Sequence, residues 1–174
     1  MKGRSTAIVG ALLLAALGAS VLTPRGTPPP PPPPQEITVS SSAQFCGMLL
    51  SEHSGPKGQI FLRTSAKPLW FASIRDMIAF LRLPDMPKDV VIAYVTDMGR
   101  AADEIHPAPG SWIDAHRAFY VIGSTQLSGM NTAEAVPFAD AEAARRFSAS
   151  HGGRVVSFAD IPDSYVFPDT GAGT

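Results

Sequence analysis

Residues 69–82 of the 174-residue chain, LWFASIRDMIAFLR, contain the transition from a β-strand to an α-helix. The segment begins with apolar and aromatic residues, and Ser73 precedes a run in which apolar residues recur every three or four positions. Ser73 with Asp76 three residues later is a typical start of a helix, and Pro84 stops it. The segment therefore predicts a strand that leads directly into an amphipathic helix.

A second strand-to-helix segment lies 67 positions further along the chain. Residues 138–140 and Phe147 reproduce the spacing of residues 71–73 and Phe80. One interpretation is an internal duplication, and the other is that both are examples of a common junction. A duplication predicts two small α+β units in series, each too small to be stable without packing against the other.

Further β-rich segments, bounded by Gly, Pro or Asp, flank both junctions. The predicted strands are Gln59–Leu62, Leu69–Phe71, Val90–Val95, Phe119–Ile122, Val136–Phe138 and Arg154–Phe158. The second helix begins after Asp140 and ends at Gly152 and Gly153. Short strands that alternate with two helices predict an α+β fold.

The N-terminal part of the chain differs in composition from the rest. Two basic residues precede an uncharged, mostly apolar run at residues 7–22, which has the layout of an export signal and is also long enough for a membrane anchor. The unbroken run of prolines at residues 28–34 predicts a stiff polyproline II spacer. We therefore expect a signal peptide or membrane anchor at residues 1–23 and a Pro-rich linker at residues 24–36. Both interpretations predict a periplasmic protein, and a retained anchor predicts tethering to the inner membrane.

The charge of the chain excludes one class of partner. Lys and Arg number 14 against 15 Asp and Glu, and the first 35 residues contain no acidic residue, so the exported body is mildly acidic. Binding to nucleic acid requires a stripe of Lys and Arg to contact the phosphates. We therefore expect no nucleic-acid partner.

Cys46 is the single cysteine of the chain and cannot form an internal disulfide. Exported proteins usually use their cysteines in disulfides, so a lone thiol suggests another role. Met48 follows after Gly47, and side chains at i and i+2 of an extended segment point to the same side. A thiolate beside a thioether favours Cu(I) over hard ions such as Mg²⁺. The competing interpretation is that both sulfur residues simply pack in the core.

A bound Cu(I) ion would need a third ligand to resist water. Met130 follows a glycine, as Met48 does, and occupies the equivalent place before the second junction. Its alternative role is that of an ordinary loop or core methionine. His53 and Met98 are lesser candidates for a further ligand, and both are expected in loops. The four histidines lack the spacing of a structural zinc site.

Two other functions remain open at this point. Cys46 could be the nucleophile of a periplasmic enzyme, with His116 as its base and Asp114 orienting the imidazole. Neither the spacing nor the context of these residues marks a family of thiol hydrolases. The chain could also be a structural assembly factor that carries no metal. We expect a protein without catalytic residues.

Several separated blocks occur in the order found in a known family. They are FCGM at 45–48, EHSGPKGQI at 52–60, WFASIRD at 70–76, YVTDM at 94–98, WIDA at 112–115, SGM at 128–130 and AVPF at 135–138. In these blocks the chain resembles the NosL family, copper chaperones that serve nitrous oxide reductase. The resemblance implies a copper-binding domain at residues 37–165, with two ββαβ repeats at about 40–95 and 112–161. Residues 166–174 contain Gly and Pro, and we expect them to form a flexible tail.

The resemblance also implies ligands and partners. The family's Cys-x-Met motif falls on Cys46 and Met48, and its later Gly-Met block falls on Met130. These residues would hold one Cu(I) ion for delivery to apo nitrous oxide reductase, together with an ABC-type membrane complex of the same pathway. Most family members carry a lipobox cysteine. Because the single cysteine here is the expected ligand, we expect no lipidation of the ordinary form.

Overall fold

The computed structural model describes residues 29–101, 103 and 106–168. The predicted signal peptide or anchor at residues 1–23 lies outside these residues. The chain divides into two compact parts, Met1–Pro30 and Pro31–Thr174, and the strands and helices that the structure describes belong to the second part. Among the described residues, no helix has the length and apolar character needed to cross a membrane.

Short strands and helices alternate along the described part of the chain. The strands are β1 (Gly58–Leu62), β2 (Leu69–Phe71), β3 (Val90–Thr96), β4 (Trp112–Asp114), β5 (Phe119–Ile122), β6 (Val136–Phe138) and β7 (Arg154–Ser157). The helices are α1 (Ile74–Arg82), α2 (Ala141–His151) and α3 (Asp163–Val166). All the predicted strands and both predicted helices are confirmed, whereas β4 and α3 were not predicted.

The strands form two antiparallel sheets with the same internal order. The first sheet has the order β2-β1-β3-β4, and the second has the order β6-β5-β7. Apart from the edge strand β4, each sheet and its helix form one unit with the same chain order. Two strands pair as a hairpin, a helix follows, and a third strand pairs with the free side of the first strand of the hairpin. The structure therefore confirms the predicted α+β fold of two related ββαβ units.

The two strand-to-helix junctions also have equivalent helix caps. The Ser73 hydroxyl accepts a hydrogen bond from the Asp76 N–H, and the Asp140 carboxylate accepts one from the Ala143 N–H, at 3.0 Å. Each cap satisfies a backbone donor that the first helical turn leaves unpaired. The start of each helix is therefore fixed by local sequence, as predicted.

The main hydrophobic core is shared between the two units. Ile60 of β1 and Ile78 of α1 belong to the same buried cluster as Tyr120 and Ile122 of β5. A smaller cluster of buried residues lies mostly in the second unit. Because the largest core draws on both units, neither unit buries its apolar face alone, as expected for units of this size.

The end of the proline-rich segment contacts the face of the first sheet opposite α1. The Tyr94 hydroxyl donates a hydrogen bond to the Pro32 carbonyl at 2.8 Å. The fully buried Gln59 side chain accepts from the Gln35 N–H at 2.9 Å and donates to the Gln35 carbonyl at 3.0 Å. Pro32 and Gln35 are thus already in contact with the first sheet. Towards the C-terminus, Val166 of α3 is buried as well.

Candidate metal centre

Cys46 is presented at the turn of a short hairpin, the Cys46 hairpin (residues 42–49). The Ala43 N–H donates to the Met48 carbonyl at 2.9 Å, and the Gly47 N–H donates to the Ala43 carbonyl at 2.8 Å. Gly47 has a φ of +69°, a conformation that favours glycine, so the turn can reverse the chain directly after Cys46. Cys46 is an exposed free thiol, and Met48 is half-buried.

The hairpin is held on the edge of the first sheet. The Gln44 N–H donates to the Trp70 carbonyl of β2 at 2.7 Å. The Phe45 ring packs edge-on against Phe71, with ring centroids 5.9 Å apart, although 46 % of Phe45 remains exposed. A backbone hydrogen bond and an aromatic contact therefore fix the two residues that precede Cys46 while leaving its thiol accessible.

Met130 lies in a second tight turn, the Met130 loop (residues 127–133). The Ser128 and Thr132 hydroxyls share a hydrogen bond of 2.8 Å across the loop, and the Met130 N–H donates to the Ser128 hydroxyl at 3.3 Å. Asn131 has a φ of +58°, and its N–H donates to the Ser128 carbonyl at 2.9 Å. The half-buried Met130 is thus held in a defined turn, as Met48 is in the first unit.

His53 connects the segment after the Cys46 hairpin to the Met130 loop. A short 3₁₀ helix, Leu50–Glu52, follows the Cys46 hairpin directly, and His53 comes next. The Nδ1 atom of His53 lies 3.3 Å from the carbonyl oxygen of Gly129, the residue before Met130. A Cβ atom on Gly129 would lie 2.7 Å from the His53 Cβ, so only glycine permits this approach. The contact explains the glycine in the Gly-Met pair.

The same contact selects one tautomer of the neutral imidazole. A carbonyl oxygen can only accept a hydrogen bond, so the contact with Gly129 requires that Nδ1 of His53 carries the proton. In neutral histidine the other nitrogen, Nε2, then carries a lone pair. His53 was a lesser candidate ligand from the sequence, and the structure places it in contact with the Met130 loop, four residues after the Cys46 hairpin ends.

The other lesser candidate, Met98, has a core position. It is 8 % exposed and belongs to a buried cluster with Val121, Val136 and Phe138. Packing alone accounts for this side chain. Met98 is therefore a suitable control for the loss of a methionine sulfur that lies in the core.

The proposed partners of a nucleophilic Cys46 lie elsewhere in the sheet. Asp114 is on β4, its carboxylate is 3.8 Å from Nδ1 of His116, and the His116 ring packs on Phe158 with centroids 4.4 Å apart. The Cys46 hairpin is attached to β2, at the opposite edge of the sheet. Three strand spacings, about 14 Å, separate the two edges. The geometry does not form the Cys-His pair that the enzyme hypothesis requires.

Two buried charged residues, Lys57 and Glu134, were not found by sequence reasoning. Burial lowers the pKa of Lys57 to about 8, and the negative charge of Glu134 acts in the opposite direction. Burial raises the pKa of Glu134 to about 7, against the effect of the hydrogen bonds that its carboxylate accepts. The one sequence signal for Glu134 is its position as a lone acid directly before the apolar strand β6.

The candidate donors are the thiol and thioether of the Cys46 hairpin, the thioether of the Met130 loop and the imidazole nitrogen of His53. This is a soft set that suits copper better than Mg²⁺ or Ca²⁺. In the part of the chain that the structure describes, no group of three or more His, Cys, Asp and Glu side chains is placed to hold a metal ion.

Residues 34–166 match the family model described as NosL. The chain belongs to the NosL family. A copper-binding lipoprotein NosL from Achromobacter cycloclastes is 43 % identical over 140 residues, which cover 80 % of this chain and 72 % of that protein. A second copper-binding lipoprotein NosL, from Stutzerimonas stutzeri, is 36 % identical over 122 residues, covering 70 % and 62 % of the two proteins.

A solved structure agrees with this placement. The crystal structure of the copper chaperone NosL from Shewanella denitrificans matches with a TM-score of 0.73 at 32 % identity, and the match covers 78 % of this NosL-family chain and 99 % of that one. The predicted family and fold class are therefore confirmed. The relatives are named as copper-binding proteins and as a chaperone, which confirms the prediction of a non-catalytic protein.

Glu134 predicts how stability depends on pH. Its folded-state pKa of about 7 lies above the ordinary value of 4.5, so between these values the folded protein binds more protons than the unfolded chain. The contribution of Glu134 to the free energy of unfolding is therefore present at low pH and is lost as the pH rises towards 7. Burial raises the pKa of Asp76 too, with the same sign of effect.

In Glu134→Gln the free energy of unfolding should fall less steeply as the pH rises towards 7, because glutamine does not titrate. The measurement is chemical denaturation at intervals from pH 4.5 to 7.5, with Asp140→Asn as an exposed carboxylate control. Lys57, Asp76 and Tyr165 interact with Glu134 and remain in the variant. An unchanged slope in Glu134→Gln would show that this carboxyl does not titrate in the range.

Proposed function

We propose that this protein is a periplasmic Cu(I) chaperone that binds one ion through Cys46, Met48 and Met130 and delivers it to apo nitrous oxide reductase. The observation that supports this most strongly is the contact between His53 and Gly129, because it connects the segment that follows the Cys46 hairpin to the loop of Met130. Its relatives are named for copper binding and copper chaperoning.

The charge and softness of the donors favour the monovalent ion. A Cys46 thiolate neutralises the single charge of Cu(I), and the thioethers add soft donors without further charge. Nε2 of His53 is the candidate for a fourth donor, because the hydrogen bond at Nδ1 leaves its lone pair available. A low-coordinate sulfur site of this kind holds copper without a cage of carboxylates.

Exposure of the thiol favours transfer over storage. Cys46 is exposed at the tip of its hairpin, and a Cβ at Gly47 would meet nothing within 4 Å, so a partner's ligands can approach the ion. Thioethers are weaker ligands than the thiolate and can be displaced one at a time. Copper would then pass through an intermediate shared by both proteins, with no free ion in solution.

We place the chaperone beside the membrane complex that assembles the reductase. In this proposal, residues 1–23 are the signal peptide or anchor, residues 24–36 are the linker, and residues 37–165 carry the copper site. The tail at residues 166–174 takes no part in metal binding. The linker holds the domain near an ABC-type complex in the inner membrane, where the apo reductase receives copper.

Removal of the thiol should abolish tight copper binding. In an anaerobic titration of Cu(I) against a chromogenic chelator, we expect Cys46→Ser to lower the affinity roughly 100-fold or more and Met130→Leu to lower it roughly tenfold. Met98→Leu is the matched control, because it removes a sulfur from the core, and it should bind copper as the parent does. Parent-like affinity in Cys46→Ser would contradict the assigned site.

Delivery is tested by mixing the Cu(I)-loaded chain with apo nitrous oxide reductase and measuring the copper content of the re-isolated reductase. We expect transfer from the parent and little from Cys46→Ser treated with the same amount of copper. The same Cu(I) supplied from the chelator alone is the control for unassisted uptake. Equal copper loading of the reductase by the parent, by Cys46→Ser and by the chelator would contradict delivery. If Cys46→Ser also binds the reductase as well as the parent does, that result would favour a metal-free assembly factor.

A further inference from the structure

Two buried groups of opposite charge contact or directly follow the segments that carry His53 and Met130. Lys57 is 2 % exposed and Glu134 is fully buried. Burying a charge is costly unless hydrogen bonds or an opposite charge compensate for the lost water. Here each group has hydrogen bonds to backbone atoms, and Glu134 also stabilises the charged form of Lys57 electrostatically. Their hydrogen bonds connect them to different loops.

Lys57 holds the segment that contains His53. Its Nζ atom donates to the Gly55 carbonyl at 2.5 Å and to the Ser54 carbonyl at 3.1 Å. Gly55 lies against the Met130 loop, because a Cβ at this residue would be 3.8 Å from the Leu127 carbonyl oxygen. The ammonium group therefore fixes the two residues through which the chain leaves His53, and it fixes them against the loop of the second unit.

Glu134 holds the base of the Met130 loop. Its Oε1 atom accepts hydrogen bonds from the N–H groups of Ile74 at 3.0 Å, Arg75 at 3.1 Å and Ala135 at 2.9 Å. The Glu134 carbonyl accepts from the Tyr165 hydroxyl at 2.7 Å. The end of the Met130 loop is thereby joined to the start of α1. The second carboxylate oxygen, Oε2, is buried without a hydrogen-bond partner, so hydrogen bonding alone does not account for a charge at this position.

Asp97 provides a comparison within the same molecule. It is 5 % exposed, and its Oδ1 accepts from the Ala139 N–H at 3.0 Å, at the strand-to-helix junction of the second unit. Asp97 thus joins the first unit to the second, as Glu134 joins the second to the first. Its side chain also accepts a hydrogen bond from the Gly99 N–H at 2.9 Å, and both of these partners lie outside the two sulfur-bearing turns.

We propose that Lys57 and Glu134 are positioning residues for the copper site, and that their opposite charges hold the His53 segment and the Met130 loop at the separation copper binding requires. This inference rests on the proposed function. Glu134 fixes the loop from the side of α1, and Lys57 fixes the facing segment. Loss of either charge frees one side, so Met130 spends less time near the Cys46 hairpin.

The positioning role is first tested without copper, by amide hydrogen exchange in the full chain. The Asn131 N–H, bonded to the Ser128 carbonyl, reports on the Met130 loop. We expect exchange at Asn131 to accelerate roughly tenfold in Glu134→Gln and in Lys57→Met, and to stay unchanged in Asp97→Asn. Unchanged exchange in both loop variants overturns the proposal, whether or not the protein binds copper.

The second test compares copper affinity with stability in the same variants. We expect Glu134→Gln and Lys57→Met to lower Cu(I) affinity roughly tenfold, and Asp97→Asn to lower the melting temperature without changing affinity. An equal loss of affinity in Asp97→Asn, or none in the loop variants, would show that these charges serve folding alone. If Glu134→Gln fails to fold, Lys57→Met carries the same comparison. Absence of copper binding in the parent defeats the proposed function and leaves the exchange test in force.

Discussion

The N-terminus of α1 is completed by a carboxylate from the other half of the molecule. Glu134 accepts hydrogen bonds from the Ile74 N–H, 60 residues away in sequence, and from the Arg75 N–H. The first turn of a helix leaves such donors unpaired and carries partial positive charge, so a buried carboxylate is stabilised there. This interaction fixes the second unit on the first, and the common core and the contact between the two turns both depend on that placement.

The parts of the fold that the sequence predicted correctly are those controlled by local interactions. Ser73 and Asp140 each cap the helix that follows, and β-rich segments bounded by turn residues became strands. Strand β4 was missed, because Trp112–Asp114 is three residues long and is a strand only through pairing with β3. Pairing between distant segments leaves little trace in a single sequence, and the same is true of the contact between Pro32 and Tyr94.

The residues of the candidate site also fall into those that local sequence could predict and those that it could not. Cys46 and Met48 could be proposed from their spacing of two positions, and Met130 from the Gly-Met pair that it shares with Met48. The structure does not make the two Gly-Met pairs equivalent, because Met48 precedes β1 whereas Met130 lies between β5 and β6. The close approach of His53 to Gly129 and the buried charges of Lys57 and Glu134 could not be proposed from the sequence, because they arise only when the two units pack. Sequence therefore supplied the candidate sulfur ligands, and the structure supplied the hydrogen bonds made by the segments around them.

The central claim is that sulfur atoms from both halves of the molecule bind the same Cu(I) ion. The most direct measurement is X-ray absorption at the copper and selenium edges of protein labelled with selenomethionine and loaded with one Cu(I). The account predicts sulfur and selenium neighbours around copper. It also predicts that Met48→Leu and Met130→Leu each lower the number of selenium neighbours of copper by one, and that Met98→Leu leaves this number unchanged. A copper environment without selenium, or one that Met130→Leu leaves unaltered, would contradict the account.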